Sequence, residues 1–487
     1  MNFAEWLLEG RENSGAIAIV DGEHSVTYAS LHELMRRYAT IVRTKITHER
    51  RVVLVVSENS IDAVAAYLGI FYAGGVPAPL ASDPKAALAD IIADANPALV
   101  FTTGEHAARV TSVVAGQCEV LELSNELGLE AAREPVPFDE LSLALLLFTS
   151  GSTGRSRGVM LSTRNLVANT SAVLAACPIK EDDIAFDTLP FYFAFGSSVV
   201  HTHLRAGAAL VFHRFRAPGD LAAAMKHVGA TSFFAVPTVF HILFRSPRGE
   251  SCVPESVSYA MVSGGSLDAK TLGNIAVKNP ALRMFVRYGV TELSAAASIL
   301  DPAFLHAKPG SIGRGLPDAP LAVLRKDGTS VTFGGDEVGE IVGVGANVTL
   351  GYFKDDSSTK EHFREGRFHT GDLAKLDSDG FIFVVGRERE FIKSSGHRVS
   401  PQEIEEVIRS MQGILEAGVF GEAHATYGEV IVAVVVVSNE APVDASAVCA
   451  HCERLLPTYK VPHKIRFVPA LPRTPSGKVN RVALKLL

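Results

Sequence analysis

The chain has 487 residues, 47% of them hydrophobic, which is enough to bury more than one core and too much for one ordinary domain. Its formal charge of -7 comes without a long basic block, so no nucleic-acid partner is expected and small-molecule chemistry is the better starting point. Five cysteines, and a start ("MNFAEWLLEG") with no cationic, apolar leader, predict a reducing, cytoplasmic setting; the longest apolar run, residues 430–437, is too short for a membrane span.

In chain order, "RVVLVV" from residue 51 reads as a strand, "SIDAVAAYLGIFYAGG" as a helix closed by glycines, and "ALVFTT" as a second strand. This is the rhythm of a helix-covered sheet, and the predicted fold class is α/β. The apolar run "LSLALLLF" reads as a buried strand and is followed by the Gly/Ser-rich loop "TSGSTGRSRG", residues 149–158. The strand-like runs "ATSFFAVP", "VSYAMVSGG" and "LRMFVRYG" each end in glycine or proline at a sheet edge, where ligands tend to bind. From about residue 319 to 385 short strands and turns predict a β-rich subdomain, with "DSDG" (377–380) as a hairpin turn rather than a calcium loop, since no glutamate stands in register to close such a loop. After "GRERE" comes a small α+β segment: helix "PQEIEEVIRSM", strands "ILEAGVF" and "VIVAVVVV", helix "ASAVCAHCERLL" and strand "KIRFV".

Glycines in the 149–158 loop let backbone N–H groups converge on one point, and Thr149, Ser150, Ser152 and Thr153 add hydroxyl donors. The loop therefore reads either as an anion cradle or as a solvated linker. It is not a P-loop, because no lysine followed by Ser or Thr comes after Gly154 or Gly158. Asp372 offers an acceptor pair suited to a ribose diol, though an aspartate after a glycine is also a common turn residue. "CAHC" at 449–452 has no second cysteine pair, and the histidines show no H-E-x-x-H spacing, so no zinc or redox site is expected.

Several stretches occur in one order: "TSGSTGRSRGV", "YGVTE" (288–292), "GSIGRGLP" (310–317), "FHTGDL" (368–373), "GRERE" (386–390), "IKSSGHRVSPQEIE" (392–405) and "PRTPSGKVNR" (472–481). Together they resemble the adenylate-forming superfamily of acyl-CoA synthetases, nonribosomal adenylation domains and firefly-type luciferases, over nearly the whole chain. The resemblance implies a large N-terminal domain, 1–386, that binds ATP and a carboxylate, and a small mobile C-terminal domain, 387–487, that carries the catalytic lysine. It implies attack of the carboxylate on the α-phosphorus of ATP, then passage of the acyl group from acyl-AMP to the thiol of CoA or of the phosphopantetheine arm of an acyl carrier protein.

The site residues carry over by the same resemblance. Thr149, Ser150, Gly151, Ser152, Thr153 and Gly154 would hold the β- and γ-phosphates, Glu292 a Mg²⁺ ion, Thr291 the α-phosphate, and Lys478 the reacting oxygens. Ser156 and Arg157 stand where relatives usually have Pro and Lys; Arg157 keeps the charge as a planar fork. Gly264, Gly265, Tyr288 and Gly289 resemble the adenine slot, or are core packing at strand ends, while Asp372 with Arg387 would meet the ribose. Arg389 falls at the hinge, where most relatives carry Asp or Lys. Beyond it, Gly396 would line the pantetheine path, and Lys393 and Arg398 are phosphate contacts or surface charges.

The aromatic stretch Phe191, Tyr192, Phe193 and Phe195, with Ser294 and Ala295, matches the place of the acyl pocket. Amino-acid-activating relatives typically put an aspartate just after an aromatic residue there, and "LPFYFAFGSS" contains no acid. The expected substrate is therefore a small carboxylic acid without an α-amino group, unless an acid such as Asp318 reaches in. Amino-acid adenylation, a luciferase-like oxygenase and an ATP-binding pseudoenzyme are the alternatives.

Overall fold

The structure, a computed structural model, describes the chain apart from residues 82–86, 125–127, 151–155, 214–220, 246–252, 266, 268, 395–396, 425–427, 439–442 and 475–478. An eight-stranded sheet dominates the first part. Its spatial order is Ser298–Leu300, Arg283–Tyr288, Tyr259–Val262, Ser232–Ala235, Ile184–Asp187, Ala209–Phe212, Ile17–Asp21 and His24–Thr27. Its strands are parallel except for the pair at each edge. A second sheet, Val76–Leu80, Val52–Val56, Leu99–Thr102 and Glu119–Glu122, is parallel throughout. Parallel strands covered on both faces need unbroken apolar runs, and Val52–Val56 and Tyr259–Val262 are buried at every position. The strands expected near residues 51, 98, 230, 257 and 282 are all present.

The β-rich subdomain is a six-stranded sheet around the long strand Arg367–Leu376, which pairs with Gly339–Gly343, Phe363–Arg364 and Ile382–Arg387. The 377–380 turn joins Leu376 to Ile382, which are paired residues. Asp377 Oδ1 accepts the N–H groups of Asp379 (2.9 Å) and Phe381 (2.8 Å), which closes the hairpin turn.

In the small C-terminal part, Gly428–Val437 lies at the centre of a sheet with Ile392–Ser394, Ile414–His424 and Lys464–Phe467. Its alternating side chains supply two cores. Ile431, Ala433 and Val435 pack with Ile404, Ile408, Val448 and Cys452 of the helices Pro401–Ser410 and Ala445–Leu455. Val432 and Val434 pack with Phe420, Leu471 and Leu484 on the opposite face. Cys452 is thus a core residue, Cys449 faces the Pro462 carbonyl, and no group of side chains able to hold a metal occurs among the described residues.

The helix Ala194–Ala206 starts inside the aromatic stretch, where the chain doubles back tightly. A Cβ on Gly196 would lie 2.2 Å from the Pro190 carbonyl oxygen and 3.0 Å from the Phe191 nitrogen, so only glycine lets this helix begin there. Gly196→Ala is expected to destabilise the fold by about 1–3 kcal/mol through overpacking against backbone. Thermal denaturation checks this, and a melting temperature equal to the parent's would show that the turn relaxes freely.

Candidate active site

The Gly/Ser motif includes the facing ends of the antiparallel strands Leu143–Ser150 and Ser156–Ser162. Pairing continues through Thr149↔Arg157 and Ser150↔Ser156, so the ten-residue stretch expected as a loop is strand at both ends. Antiparallel backbone groups satisfy one another until the glycines begin. Gly151, Ser152, Thr153 and Gly154 lie outside the described residues, as does the side chain of Ser150.

Residues 349–353, not singled out in the sequence, tie this hairpin to Glu292. Phe353 N–H donates to the Gly158 carbonyl (2.7 Å), Met160 N–H to Gly351 (2.9 Å) and Thr349 N–H to the Glu292 carbonyl (3.1 Å). The Tyr352 hydroxyl donates to Glu292 Oε1 at 2.8 Å, while the Arg157 guanidinium lies 5.5 Å from the centre of the Tyr352 ring and 3.6 Å from Asp355 Oδ2. Burial, and then the Glu292 carboxylate, push the Tyr352 hydroxyl far above its ordinary pKa, so it remains a donor at every working pH. The buried hydroxyl of Thr349 has no partner among the described residues.

A second cluster lies at the end of the strand Arg283–Tyr288. Asp372 is buried, and Arg387, its register partner on the next strand, holds Oδ1 through Nε at 2.8 Å. The Tyr288 hydroxyl donates to Oδ2 at 2.6 Å. The expected neighbourhood of Asp372, Arg387 and Tyr288 is therefore a bonded triad. Gly264 has φ +89°, and a Cβ on Gly265 would meet Pro237 at 3.3 Å. The next residue, Thr238, accepts a hydrogen bond from Arg473 Nη1 of the C-terminal part (3.2 Å). Arg473 bridges to Val479, and the two flank residues 475–478, so Lys478 lies outside the described residues.

Thr291 and Glu292 form a short 3-10 turn with Leu293 just after Gly289. A Cβ on Gly289 would lie 1.7 Å from the Ala295 carbonyl oxygen, and this close approach presses 294–295 against the strand end. Ser294 (φ +58°) and Ala295 (φ +96°) are both left-handed, a cost that recurs at functional sites. They line a narrow cleft with Ala194, Ser197, Ser198 and Asn169.

The aromatic stretch divides. Phe191 is fully buried and packs edge-on to Tyr67 at 5.6 Å; contrary to expectation it is core, because the turn before Gly196 folds it inward. Tyr192 and Phe193 are partly exposed and pack together, with the Tyr192 hydroxyl 3.5 Å from Glu58 Oε2. Glu58 is thus an acid that the local sequence did not reveal, whereas Asp318 is exposed at a left-handed turn (φ +60°). Phe195 faces Arg287, whose guanidinium carbon lies 4.8 Å from the ring centre. Arg287 is 3% exposed, and neither Nε nor Nη2 has a partner among the described residues. Burial pushes its pKa down to about 9. An aromatic face returns about 2 kcal/mol to a desolvated cation, less than the several kcal/mol that removing an ion from water costs. The only sequence signal for Arg287 was a charge inside an apolar strand run directly before "YG".

The remaining candidates lie in the C-terminal part. Arg389 sits in the turn Glu388–Glu390 and holds Glu361 Oε1 through Nη2 at 2.6 Å. Lys393 is exposed, pairs in register with Arg398, and joins neither cluster described above; the Arg398 side chain and Gly396 lie outside the described residues.

The chain matches the AMP-binding enzyme family over residues 8–353 and the AMP-binding enzyme C-terminal domain over 403–478. It is 36% identical to a sulfoacetate–CoA ligase of Cupriavidus necator over 347 residues, 70% of this chain and 66% of that one. A feruloyl-CoA synthase of Amycolatopsis sp is 31% identical over 480 residues, 96% and 95% of the two chains. The structure of an O-succinylbenzoate coenzyme A synthetase from Bacillus subtilis in complex with ATP and magnesium ion superposes with a TM-score of 0.87 at 26% identity, covering 99% of each chain. The chain belongs to the AMP-binding enzyme family and is an adenylate-forming enzyme of the acyl-CoA synthetase type.

The Tyr352–Glu292 bond fixes one oxygen of the carboxylate expected to hold Mg²⁺. Tyr352→Phe keeps the ring under Arg157 and removes only the hydroxyl. The Mg²⁺ concentration for half-maximal activity is expected to rise about 10-fold or more, the size of effect seen when outer partners of metal ligands are lost. An unchanged requirement would show that the bond does not orient Glu292.

Proposed function

We propose that the enzyme activates a carboxylic acid without an α-amino group with ATP, forming an acyl-AMP and pyrophosphate, and then transfers the acyl group to CoA. The observation that carries this reading is the convergence of the Asp372 and Glu292 clusters at the end of one strand, with Arg473 bringing the tail up to Thr238 beside Gly265. The relatives named above are CoA ligases and synthases, and none of their acids carries an α-amino group. A carrier-protein arm presents the same thiol, and a side-by-side assay with CoA and a holo-carrier protein separates the two acceptors.

In the first step a substrate carboxylate oxygen bonds to the α-phosphorus as the bond to pyrophosphate breaks. The ammonium of Lys478 offsets the negative charge where the two anions meet, and Thr291 holds an α-phosphate oxygen. The hydroxyls and N–H groups of residues 149–154 hold the departing phosphates. Glu292 fits a divalent cation, since Tyr352 holds only one of its oxygens, and Thr349, whose N–H donates to the Glu292 carbonyl, has a hydroxyl without a partner among the described residues; when bound, Mg²⁺ supplies charge neutralisation on the phosphates. Asp372 and Arg387 meet the ribose, with Tyr288 and Gly264–Gly265 beside the base. In the second step the CoA thiol adds to the acyl carbonyl and AMP leaves, after the C-terminal domain turns about Arg389 and brings Gly396 to the pantetheine path. A cytoplasmic location is proposed with this role; no helix among the described residues is long and apolar enough to cross a membrane.

Lys478→Ala is expected to reduce acid-dependent ATP–pyrophosphate exchange by orders of magnitude while sparing thioester formation from supplied acyl-AMP. Equal loss of both half-reactions would remove Lys478 from its role. In a second assay, pyrophosphate exchange with an acid should exceed that with its α-amino counterpart of the same length, because an ammonium buried against Phe193 and Phe195 without a partner costs several kcal/mol. A clear preference for the amino acid would make Glu58 or another acid its partner and overturn the assignment.

A further inference from the structure

Arg287 and Tyr288 are consecutive on one strand, so their side chains leave it on opposite faces. Tyr288 goes to Asp372 on the nucleotide side. Arg287 goes the other way, to Phe195 on the first turn of the helix Ala194–Ala206. The same helix end supplies Ala194, Ser197 and Ser198 to the narrow cleft completed by Ser294 and Ala295. Arg287 does not itself line that cleft; it lies behind Phe195, the neighbour of the lining residue Ala194.

Its state there is unusual. Nε and Nη2 form one edge of the guanidinium, the two-pronged edge that matches a carboxylate or sulfonate, and both are buried without a hydrogen-bond partner. The ionisable group that acts on Arg287 is the thiol of Cys177, which burial itself pushes up to about 12, so it brings no negative charge at neutral pH. Two other carboxylates buried in this sheet do not supply it: Asp183 takes hydrogen bonds from Tyr259, Thr231 and the Lys180 N–H, whereas Asp187 takes only one, on Oδ1 from the Leu189 N–H, its Oδ2 has no partner among the described residues, and burial pushes its pKa up to about 8, so it is largely neutral at neutral pH. A buried fork with no anion among the described residues is a site that lacks its counter-ion.

We propose that Arg287 receives a second anionic group of the substrate, so that the acid activated is a dianion bearing a carboxylate or sulfonate at the end remote from the reacting carboxylate. This rests on the reading of the Phe195 side as the acid pocket. A monoanionic acid would leave the guanidinium buried and unpaired, whereas a dianion satisfies the Nε–Nη2 edge on binding. Arg287 is then a specificity-determining residue that touches substrate.

The test is acid-dependent pyrophosphate exchange with the unmodified enzyme on matched pairs: malonate with propionate, succinate with butyrate, glutarate with valerate, and sulfoacetate. At least one dianion should exceed its monoanionic partner about 100-fold or more in kcat/KM, the scale for a buried charge pair made or left open. Arg287→Met, close in length and uncharged, should abolish that preference by losing the dianion while retaining or gaining the monoanion. Arg287→Lys should restore part of it. Preference for the monoanion in the unmodified enzyme, or an equal loss on both members of a pair in Arg287→Met with an unchanged melting temperature, overturns the inference and leaves the ligase reading intact. Exchange with no acid at all, amino acids included, overturns the ligase reading and this inference together.

Discussion

The carboxylate of Asp372 is the point at which three parts of the chain are held together. Buried and charged, it would be expensive alone, and both of its oxygens are engaged, one by Arg387 and one by the Tyr288 hydroxyl. Tyr288 ends a strand of the eight-stranded sheet, Asp372 belongs to the β-rich subdomain, and Arg387 ends the last strand before the C-terminal part. The carboxylate holds Arg387 charged and adds to the strength of the pair. Satisfying one buried charge therefore fixes the large sheet and the subdomain in mutual register and starts the connection to the small domain from a set position. That connection is held again a few residues later, where Arg389 meets Glu361 and Glu390 meets Arg481.

The strand Arg283–Tyr288 sends consecutive side chains to two different neighbourhoods by the simplest rule of β-structure. Its period of two sends Tyr288 to Asp372 and Arg287 to Phe195, and the next residue, Gly289, allows the chain to turn under the Ala295 carbonyl so that Glu292 comes back toward Tyr352. In the function proposed above, this one short segment serves the ribose, the metal and the acid. The left-handed Ser294 and Ala295 are the backbone cost of packing these into so few residues. The Nε–Nη2 edge of Arg287, without a partner among the described residues, is a cost of another kind, a desolvated charge that the fold leaves unbalanced there.

Much was legible without coordinates because strand and motif signals are local. Unbroken apolar runs such as Val52–Val56 and Tyr259–Val262 predicted buried parallel strands, and the 377–380 turn predicted its hairpin. The Asp372–Arg387 neighbourhood was also expected, and their pairing across adjacent strands bears it out. The extent of the Gly/Ser loop was misjudged, since Thr149 and Arg157 read as loop by composition yet pair as strand through backbone groups that carry no side-chain signature. Phe191 failed for a similar reason: four aromatics in a row look alike, and only the turn before Gly196 decides which of them points inward.

What the sequence determined by itself was the order of elements, the class of chemistry and the residues of its motifs, because hydrophobic period and motif spacing are properties of neighbours along the chain. What only the tertiary structure decided was partnership. Tyr352 is bonded to Glu292 sixty positions away, Glu58 approaches Tyr192, and Arg287 is left facing Phe195 with Nε and Nη2 unpaired among the described residues. Whether a charge is paired, shared or stranded depends on desolvation and on which distant elements pack against it, and neither is written in the residues on either side.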